Sequence, residues 1–563
     1  MKNEKAAEEA ATDFLTKLVM DDAENGVFDR PIATRFPPEP NGYLHIGNAY
    51  AIHVNHSISQ KCGGTFNLRF DDTNPLKEDT KYVEAIKEDI GWLGLQPAVY
   101  FGSDYSGQIY EAAVKLIRKG KAYVCDLTPT QITEYRGTLT EPGKDSPFRN
   151  RSAAENLSLF EQMRKGNFPT SSKVLRAKID MSSPNLNMRD PVLYRIIHAA
   201  HYRTGNEWCI YPMYDFAHPI QDWIEGITHS LCSAEFKDHR PLYEWVLNEL
   251  EAANPPKQRE FGRLNISGLV TSKRYLRELV EGGFVDGWDD PRLPTLRGLR
   301  RRGVTPESIQ RFMEDIGMFR QNSTVDAAML EHFIRQDLKE RSISVMAVLN
   351  PLKVIITNYP EDQTERLSLK NNEGNEAMGS REVPFSRELF IERDDFMESP
   401  VAGFHRLSPG KEVRLKGAYF IKCEQVVKDP STGEIKELHC TYNPLTKSGT
   451  GFSGRKVKAT IHWVSAAHGI RAEVHLYDQL LKDSAAIVES GNTWEEVLNP
   501  ESLIKVKQAV LEPFLKEASL QEKYQFIRHG YFCLDARYTT EHTKVLNRIV
   551  SLKDSWKKAR GSE

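Results

Sequence analysis

Two residues that could bind a nucleotide, His45 and Gly47, lie close together in the stretch from Arg35 to Ala51. An imidazole N–H can donate a hydrogen bond to a phosphate oxygen. A glycine has no side chain, so a flat base can lie directly against the backbone there. The pair predicts a site for a phosphate and a base. A short motif of about four residues that contains His-x-Gly nevertheless occurs by chance in roughly one such chain in ten.

The elements around this stretch would place His45 where phosphate binds. Ile32 to Phe36 has the β-branched and aromatic content of a short buried strand. The prolines between Pro37 and Pro40 hold an extended loop, because each fixes its own φ and keeps its predecessor out of the helical region. A helix with apolar residues at helical spacing then runs to Gly63. His45 is therefore expected at a helix N-terminus, whose N–H groups and dipole attract phosphate.

A second candidate group is the carboxylate pair Asp71-Asp72, at the end of the alternating segment Thr65 to Phe70. In an open α/β sheet, charged groups at the carboxyl ends of strands lie where ligands bind. Asn74-Pro75 predicts the start of the next helix. Strand, helix, strand and helix at this spacing predict an α/β fold with a Rossmann-type parallel nucleotide-binding domain.

The residues Thr34 to Gly47 resemble the first signature of the class I aminoacyl-tRNA synthetases, in the form found in their glutaminyl and glutamyl branch. Val270 to Arg274 resembles the second signature of that class, a mobile loop whose lysine meets the ATP phosphates. Asn48 stands where a second histidine is usual, and Thr271 stands where methionine is common. Because asparagine can still donate a hydrogen bond, we expect an altered rate rather than loss of activity.

The resemblance implies an enzyme that joins an amino acid to the α-phosphate of ATP and passes the acyl group to a tRNA hydroxyl. Such in-line transfer needs positioning and charge stabilisation rather than a covalent nucleophile. The resemblance assigns catalysis to His45, Asn48 and Lys273, and Mg²⁺ would share the phosphate charge. It places around ATP the residues Glu39, Pro40, Asn41, His45, Ile46, Gly47, Asn48, Ala49, Tyr50, Ala51, Ser233, Arg263, Leu264, Thr271, Ser272 and Lys273.

For the amino acid, the resemblance implies a pocket formed by Arg35, Asp71, Tyr214, Cys232 and Gln258. Asp71, a carboxylate at a strand end, suits the substrate ammonium group. A glutamate substrate would need a buried cation opposite its side-chain carboxylate. Glutamyl relatives carry an arginine at the place of Cys232, so the uncharged Cys232 leaves glutamate poorly compensated and predicts L-glutamine as the substrate.

The expected macromolecular partner is tRNA(Gln). Arginine and glutamine side chains suit the edges of unstacked bases. The resemblance implies contacts from Arg136, Leu139 and Asp238 at the acceptor end, and from Arg406, Arg414 and Gln525 at the anticodon. Without the resemblance, each of these would be interpreted as an ordinary surface residue.

The chain divides into six predicted segments. In order, they are an N-terminal helical extension (1–26), the first half of the Rossmann catalytic domain (27–104), an α/β acceptor-end-binding insertion (105–212), the second half of the catalytic domain (213–265), the second-signature loop with a helical subdomain (266–342), and two anticodon-binding β-barrels (343–563). The last segment is predicted to form antiparallel barrels, because alternating, β-rich stretches broken by Gly, Pro and Asn replace helical periodicity there. Within it, the polar stretch Gln363 to Glu382 predicts a flexible loop.

Four arginines, Arg297, Arg300, Arg301 and Arg302, lie close together in the helical segment. A charge run of this kind is usually a solvated face. Arginine clusters also grip phosphate with two parallel hydrogen bonds. The sequence leaves both interpretations open.

The composition is that of an ordinary soluble protein, with 563 residues, of which 40% are hydrophobic and 27% are charged. The formal net charge of −3 gives no overall basic excess, so a tRNA-binding surface would be a local patch. The seven cysteines have no Cys-x-x-Cys spacing, which predicts reduced thiols, no structural zinc and no metal ligands. The absence of a signal peptide or an apolar run of membrane length predicts a cytoplasmic protein that does not contact membranes. The family resemblance implies a monomer.

Three alternatives are open. A glutamyl-tRNA synthetase of the related barrel-bearing type is disfavoured by Cys232 and Gln258. A non-catalytic tRNA-binding or regulatory paralogue is suggested by Asn48 and Thr271, but His45, Gly47, Lys273 and Asp71 are retained. A nucleotidyltransferase would share the His-x-Gly chemistry but would not need the insertion or the β-rich region.

Overall fold

The computed structural model of the chain describes residues 13–452, 454–482 and 492–553. These residues form two compact units. One runs up to Asn265 and includes Met313–Val325, and the other consists of Ile266–Phe312 and the residues from Asp326 onward. The six-part division predicted from the sequence is finer and stays a prediction. Residues 1–12 of the predicted N-terminal extension lie outside the described residues.

The strand, loop and helix predicted around the first signature are confirmed. Helix α1 (Phe14–Glu24) precedes them, β1 (Ala33–Phe36) is buried along its whole length, and a loop leads from it into α2 (Ile46–Lys61). The chain continues through β2 (Thr65–Phe70), α3 (Thr80–Trp92) and β3 (Ala98–Phe101), and the strands form a parallel sheet in the order β1-β2-β3. The loop after β1 and the carboxylates after β2 therefore leave the sheet at the same edge.

The predicted helix start at Asn74-Pro75 is wrong. These residues lie in a turn, and α3 begins only at Thr80. Asp79 caps the helix, because its carboxylate accepts a hydrogen bond from the backbone N–H of Lys81 at 2.9 Å. An asparagine before a proline favours a turn as much as a helix start, and the true cap lies further along.

Strand β2 is buried on both faces. Its alternation places Phe66, Leu68 and Phe70 on one face, yet Asn67 and Arg69 on the other face are also buried. A parallel sheet is covered by helices on both sides, so the polar face of this strand must find partners inside the protein.

The predicted α/β insertion has one antiparallel sheet covered by helices. Its elements are α4 (Ser106–Arg118), β4 (Ala122–Cys125), α5 (Pro129–Arg136), α6 (Ala153–Arg164), β5 (Val174–Ala177), β6 (Val192–Ile196) and β7 (Ile210–Pro212). The strand order is β4-β5-β6-β7, and every neighbouring pair is antiparallel. Apolar faces of α4 and α6 pack on this sheet around Phe160 and Leu175.

After the insertion the chain returns to the parallel arrangement. Its elements are α7 (Tyr214–Ile224), β8 (His229–Ser233), α8 (Arg240–Glu249) and β9 (Lys257–Phe261), followed by β10 (Leu264–Ile266). Strands β8 and β9 are parallel. Just before β8, the backbone N–H of Thr228 donates to the carbonyl of Ala33, the first residue of β1, at 3.0 Å. Strand β9 ends before Gly262, and β10 belongs to a separate two-stranded sheet.

The second signature leads into helices. They are α9 (Lys273–Glu281), α10 (Leu296–Arg302) and α11 (Pro306–Ile316), and β11 (Ser323–Val325) and α12 (Ala327–Arg341) follow. Two members of the arginine cluster on α10 serve the fold rather than solvent or phosphate. Nη2 of Arg301 pairs with Asp535 at 3.1 Å, and Nε of Arg302 donates to the carbonyl of Ile549 at 2.8 Å. No helix among the described residues has the length and apolar character needed to cross a membrane.

The rest of the second unit contains two barrel-like sheets of seven strands each. The elements of this region are β12 (Ile343–Val345), β13 (Ala347–Val348), β14 (Pro351–Ile356), β15 (Glu365–Lys370), β16 (Ser380–Phe385), β17 (Glu388–Glu392), β18 (Glu412–Leu415), β19 (Phe420–Lys428), β20 (Ile435–Asn443), β21 (Thr460–Ile461), β22 (Val464–Ser465), β23 (Ile470–Tyr477), α13 (Trp494–Val497), β24 (Leu503–Leu511), β25 (Tyr524–Phe526), β26 (Gly530–Leu534) and β27 (Val545–Ser551). Strands β15 and β16 form a separate two-stranded sheet. One sheet has the order β21-β18-β19-β20-β14-β17-β22, and the other has the order β12-β25-β26-β27-β23-β24-β13. Most neighbouring strands are antiparallel, as predicted, although four pairs are parallel, namely β12 with β25, β14 with β20, β18 with β21 and β23 with β27.

The predicted flexible loop from Gln363 to Glu382 is wrong. Strands β15 and β16 form an antiparallel hairpin across this stretch, in which Leu367 and Leu369 are buried in the core of the first barrel. Buried and exposed residues alternate along both strands, and the charged residues on the solvent face give the stretch its polar composition.

Candidate active site

His45 caps helix α2 with its own side chain. The residue has extended backbone angles, and its Nδ1 accepts a hydrogen bond from the backbone N–H of Gly47 at 3.1 Å. A neutral imidazole that accepts at Nδ1 carries its proton on Nε2. His45 therefore presents an N–H donor from a helix N-terminus, as a phosphate site requires.

Asn48 completes this cap. Its Oδ1 accepts a hydrogen bond from the backbone N–H of His45 at 2.9 Å, so the two residues form a capping box. With Oδ1 used in this way, the Nδ2 group of Asn48 is the donor end of the amide. The residue that replaces a usual histidine thus keeps a fixed hydrogen-bond donor at the helix start.

Gly47 has to be small because the His45 ring folds back over it. A Cβ atom on Gly47 would lie 3.0 Å from Cε1 and 3.1 Å from Nδ1 of His45. The same Cβ would lie 3.8 Å from the carbonyl oxygen of Leu264, so that predicted ATP residue is brought next to the first signature. A side chain at position 47 would displace the imidazole.

Three of the predicted ATP residues on α2 have buried side chains. Ile46, Ala49 and Tyr50 belong to the hydrophobic core, so only their backbone could meet a nucleotide, whereas Ala51 is half-buried. The hydroxyl of Tyr50 accepts from the backbone N–H of Phe319 at 2.9 Å, and burial raises its pKa to about 12. Tyr50 therefore holds the segment around Phe319 in place.

The other predicted ATP residues of the first unit lie in loops or at the ends of strands. The amide of Asn41 donates to the carboxylate of Glu39, and the buried Pro40 lies between these two residues in the loop before α2. Arg263 and Ser233 both contact the carboxylate of Glu235, which links the end of β8 to the turn after β9. In the second unit, Thr271 and Ser272 precede α9, and the exposed Lys273 is its first residue.

Asp71 is a buried carboxyl group, with only 2% of its surface exposed. Burial raises the pKa of Asp71 to about 7, opposed by Arg69 and reinforced by Glu39 and Glu78. Its Oδ1 accepts only a long hydrogen bond, from Thr73 at 3.4 Å. A cation placed here would be strongly stabilised by the ionised form, which suits a substrate ammonium group.

The structure brings the predicted amino-acid residues together. Tyr214 interacts electrostatically with Arg35, Cys232 and Asp71, and burial raises the pKa of its hydroxyl well above the usual range. Burial likewise raises the pKa of the Cys232 thiol to about 12, so the group is neutral at physiological pH. Tyr214 and Cys232 are half-buried, so these residues form a partly exposed cluster, here called the amino-acid pocket, whose Cys232 side carries no charge.

Gln258 supports the pocket indirectly, through its hydrogen bond to Phe236. Its Nε2 donates to the carbonyl of Phe236 at 2.9 Å and to Glu260 at 3.0 Å. Phe236 packs against the Tyr214 ring, with centroids 5.3 Å apart. Gln258 therefore fixes the segment that carries one wall of the pocket.

The sequence interpretation missed the support behind this pocket. Arg35 is fully buried, and its Nε donates to Asp222 on α7 at 2.9 Å. Asp222 also binds Arg69, and the Tyr214 ring stacks on His218 with centroids 4.8 Å apart. The sequence did contain a sign of this support, the pair His218 and Asp222. The two residues are four positions apart on a helix whose other buried residues, except Gln221, are apolar.

The predicted tRNA residues of the first unit lie on the surface. Leu139 is 77% exposed in the loop after α5. Nη1 of the buried Arg189 donates to the carbonyls of Arg136 and Glu141, both at 2.8 Å, and so clamps this loop. The exposed Asp238 is fixed through its backbone carbonyl, which accepts from the amide of Asn185 at 2.7 Å.

The predicted anticodon residues lie in the second unit. Nε of Arg406 faces Asp395 at 3.4 Å. The guanidinium of Arg414 lies 4.2 Å from the centre of the Phe420 ring. Oε1 of Gln525 accepts a hydrogen bond from Ser344 at 2.9 Å. All three therefore have protein partners that orient them.

One group in the second unit has the composition of a metal site, namely Glu392, His462 and His529, whose ligand atoms lie within 4.8 Å of one another. Nδ1 of His462 accepts a hydrogen bond from Nε of Arg528 at 3.1 Å, so the ring proton is on Nε2, which faces Glu392 at 3.5 Å. A metal would need the lone pair of that nitrogen. The tautomer therefore favours a proton between these groups over a metal ion.

Comparison with known proteins agrees with this architecture. The family model described as tRNA synthetases class I (E and Q), catalytic domain, matches residues 31–340. Two models for the anti-codon binding domain of the same synthetases match residues 345–443 and 460–535. A parallel nucleotide fold with a His-x-Gly helix start, followed by two anticodon-binding barrels, defines this class of synthetases.

Similarity to curated proteins extends over nearly the whole chain. The glutamine--tRNA ligase of Clostridium perfringens is 58% identical over 98% of this chain and 99% of that protein. The glutamine--tRNA ligases of Clostridioides difficile and Stutzerimonas stutzeri are 55% and 53% identical, each over 97% of this chain and 98% of the relative. The chain belongs to the glutamine--tRNA ligase family of class I synthetases.

Proposed function

We propose that the chain joins L-glutamine to tRNA(Gln) in an ATP-dependent reaction that passes through a glutaminyl-adenylate and releases AMP and diphosphate. The observation that carries this proposal is the cluster in which the half-buried, neutral Cys232 thiol and the buried Asp71 carboxyl lie near the same tyrosine, Tyr214. This pocket has a carboxyl group for an ammonium ion, whereas the arginine among its predicted residues, Arg35, is already paired with Asp222. The full-length relatives that are glutamine--tRNA ligases support the same substrate.

In the proposed mechanism, the start of α2 stabilises charge on the triphosphate. Nε2 of His45 and Nδ2 of Asn48 are the donor ends of side chains whose other polar atoms are engaged by the capping box. Donors that are fixed before the reaction stabilise developing charge without reorganisation. Lys273 supplies a cation to the phosphates, by its place in the second signature.

Mg²⁺ fits this chemistry as a partner of the phosphates. When bound to ATP, it would neutralise part of the triphosphate charge. The groups at the helix start are N–H donors, which face phosphate oxygens rather than metal ions. No residue of the chain is therefore assigned as a Mg²⁺ ligand.

At the amino-acid end, the Asp71 carboxylate holds the substrate ammonium group. Tyr214 and Cys232 line the region that receives the side-chain amide, and Gln258 holds the adjoining wall through Phe236. A neutral amide needs hydrogen bonds but no counter-ion, whereas a glutamate carboxylate would lose its hydration without gaining a cation. The pocket therefore favours glutamine over glutamate, because it offers no positive charge to the substrate side chain.

For the tRNA, the clamped loop with Leu139 and Arg136 is proposed to meet the acceptor end, together with Asp238. Arg406, Arg414 and Gln525 are proposed to read the anticodon, for which their oriented donors are suited. The chain is expected to act in the cytoplasm. It is also expected to be a monomer, and sedimentation of the purified protein would check this oligomeric state.

The decisive experiment is aminoacylation of total tRNA with labelled glutamine and labelled glutamate in parallel. Charging with glutamine alone is expected. Charging with glutamate would support the glutamyl alternative and contradict the Cys232 argument. Binding of tRNA without charging by either amino acid would support a non-catalytic paralogue, and Asn48→His would then test whether the departure at position 48 is the cause.

A further inference from the structure

Two of the seven cysteines face each other in the core of the first barrel. Cys423 on β19 and Cys440 on β20 are Cα partners in the antiparallel pairing of these strands. Directly opposite residues of an antiparallel pair point to the same face of the sheet, so the two side chains lie side by side. Both belong to the hydrophobic core of the barrel, both are free thiols, and neither is exposed to solvent.

The backbone hydrogen bonds make this a non-hydrogen-bonded pair. The N–H of Cys423 donates to the carbonyl of Lys411 at 3.3 Å and its carbonyl accepts from Gly410 at 2.8 Å, so both groups point away from β20. The carbonyl of Cys440 accepts from Thr357 at 2.8 Å, on the β14 side of β20. In such a pair the Cα atoms lie about 4.5 Å apart, which is within the range of about 4.4–6.8 Å that a disulfide spans. The reduced pair is therefore already placed for a disulfide.

Cys423 also differs from other buried thiols in its acidity. Burial raises the pKa of Cys232 to about 12 and that of Cys533 to about 11. The interaction with Cys440, as a hydrogen-bond donor, instead lowers the pKa of Cys423, and the pKa of Cys440 itself is raised well above its usual range. Because the thiolate is the reactive form of a cysteine, Cys423 is the better nucleophile of the two.

We propose that Cys423 and Cys440 are an oxidative modification site, at which a peroxide oxidises Cys423 and Cys440 then closes a disulfide inside the first barrel. Because neither thiol is exposed, the oxidant must be small and uncharged. Hydrogen peroxide meets both conditions, whereas a bulky or charged thiol reagent does not. The site is independent of the proposed function, since it uses none of the substrates of the enzyme.

The reaction has two steps that balance. The Cys423 thiolate attacks one oxygen of hydrogen peroxide, so that an S–O bond forms, the O–O bond breaks and hydroxide leaves. The Cys440 sulfur then attacks the sulfur of the Cys423 sulfenic acid, the S–S bond forms, and the oxygen leaves with the Cys440 proton as water. Overall, two thiols and one peroxide give one disulfide and two waters. The two sulfurs lose the two electrons that the peroxide gains.

The disulfide would close the segment 424–439, which joins β19 to β20. A cross-link of this kind restricts the unfolded chain and so stabilises the folded barrel, provided that the bond forms without strain. Strand β19 also carries Phe420, whose ring lies 4.2 Å from the guanidinium of Arg414. Oxidation is therefore expected to stabilise the sheet that carries Arg414.

The test treats the folded, reduced full chain with hydrogen peroxide, alkylates the remaining thiols in denaturant and digests the product with trypsin. Cleavage after lysines leaves the two cysteines in separate peptides, 423–428 and 437–447. We expect mass spectrometry to find these peptides joined in most molecules and separated again by dithiothreitol. Cys533, which is also buried, should be alkylated and not cross-linked. Two peptides that stay separate and alkylated after peroxide would overturn the proposal.

Two matched variants test the order of the steps. In Cys440→Ser, the reaction should stop at Cys423, which gains one or more oxygen atoms because no second thiol is present. In Cys423→Ser, Cys440 should remain an alkylatable thiol. Oxidation of Cys440 in Cys423→Ser to the same extent as Cys423 in Cys440→Ser would overturn the assignment of Cys423 as the attacking thiol.

Measurements on the parent protein keep the proposal testable if either variant fails to fold. A disulfide between thiols that are already in place should leave the melting temperature of the oxidised protein equal to or above that of the reduced protein. It should also form in the folded chain and not require denaturant. A cross-link that appears only in denaturant, or one that lowers the melting temperature, would show that the thiols are not in place and would overturn the proposal.

Discussion

The side chain of Asn48 accepts a hydrogen bond from the backbone N–H of His45 at 2.9 Å. His45 in turn accepts from the N–H of Gly47, so the first turn of the helix and the two predicted catalytic side chains are one hydrogen-bonded unit. The residue at position 48 therefore has two separable roles. Its oxygen stabilises the helix start, and its nitrogen can serve the phosphates.

Asn48→Asp separates these roles. The carboxylate keeps the acceptor for the His45 N–H and is favoured near a helix N-terminus, so the melting temperature should stay within a few degrees of that of the parent protein. The Nδ2 donor is lost and a negative charge faces the phosphates, so we expect aminoacylation to slow by roughly a hundredfold or more. Asn48→His, which restores a donor, is the control and should remain active. An active Asn48→Asp would show that the nitrogen is not used.

Gly47→Ala tests the space that the His45 ring needs. The new Cβ would lie 3.0 Å from Cε1 of His45, so the ring must shift away from its position over the helix. Alanine also favours helix by about 1 kcal/mol, so stability should hold while kcat falls roughly tenfold. Gly91→Ala is a matched control in a different helix, α3. A Cβ atom at Gly91 would have no atom within 4 Å. Equal effects on kcat at the two positions would contradict the ring-displacement argument.

The sequence predicted those parts of the site that depend on local order. The strand, proline loop and capped helix around His45 need only neighbouring residues, and they are confirmed. The ion pair between Arg35 and Asp222 joins residues 187 positions apart, and the pair between Arg301 and Asp535 joins residues 234 apart. No local pattern encodes such partners, because they are chosen by the packing of distant elements.

The loop that carries Leu139 gives a prediction about tRNA. Nη1 of Arg189 donates to the carbonyls of Arg136, Thr138 and Glu141, so this buried guanidinium holds the loop in one conformation. We expect Arg189→Gln to lower kcat/KM for tRNA roughly threefold to tenfold, because the exposed leucine is no longer held in position. Leu139→Ala should give a similar loss, and the double variant should lose little more. Independent, multiplicative losses would contradict a shared role.

Glu392 predicts acid sensitivity of the second unit. Although burial opposes ionisation, hydrogen bonds from His462, His529 and the backbone N–H groups of Leu349 and Asn350 hold the pKa of Glu392 well below its ordinary value of 4.5. A lowered carboxyl pKa contributes stability above the unfolded value, and this contribution is lost as the pH falls below about 4.5. Burial also lowers the pKa of His462, so the unfolded chain takes up a proton that the folded chain does not, and stability already falls below about pH 6.5.

Glu392→Gln should therefore lower stability at neutral pH by roughly 2–4 kcal/mol and flatten its decline towards acid pH. Glu388→Gln is the control from the same strand, because that side chain is 47% exposed and pairs only at the surface with Lys353. It should change stability by less than about 0.5 kcal/mol. Melting curves of the three proteins from about pH 7 to about pH 2.5 would check this, and parallel curves for Glu392→Gln and the parent protein would contradict it.

Asp71 gives the sharpest pH prediction, because burial raises its pKa to about 7 in the free protein. The substrate ammonium group needs the ionised carboxylate, so the KM for glutamine should rise up to about tenfold for each pH unit below 7, while kcat at saturating glutamine changes less. The folded chain also holds this proton more tightly than the unfolded chain. Stability from this group is therefore fully present below the ordinary pKa of 3.8 and is lost as the pH rises to about 7.

Asp71→Asn should abolish glutamine use and yet stabilise the free protein above pH 7 by roughly 2–4 kcal/mol, since no buried carboxylate has to ionise. The neighbouring Asp72→Asn is the contrasting control. The carboxylate of Asp72 accepts hydrogen bonds from the backbone N–H and the hydroxyl of Ser103 at 2.6 and 2.7 Å, so its loss should destabilise the fold. Glutamine kinetics and melting temperatures measured across this pH range decide the matter. A KM that stays flat from about pH 8 to pH 6, or an Asp71→Asn protein that melts below the parent protein, would contradict the role of Asp71 as a desolvated carboxylate kept for the substrate.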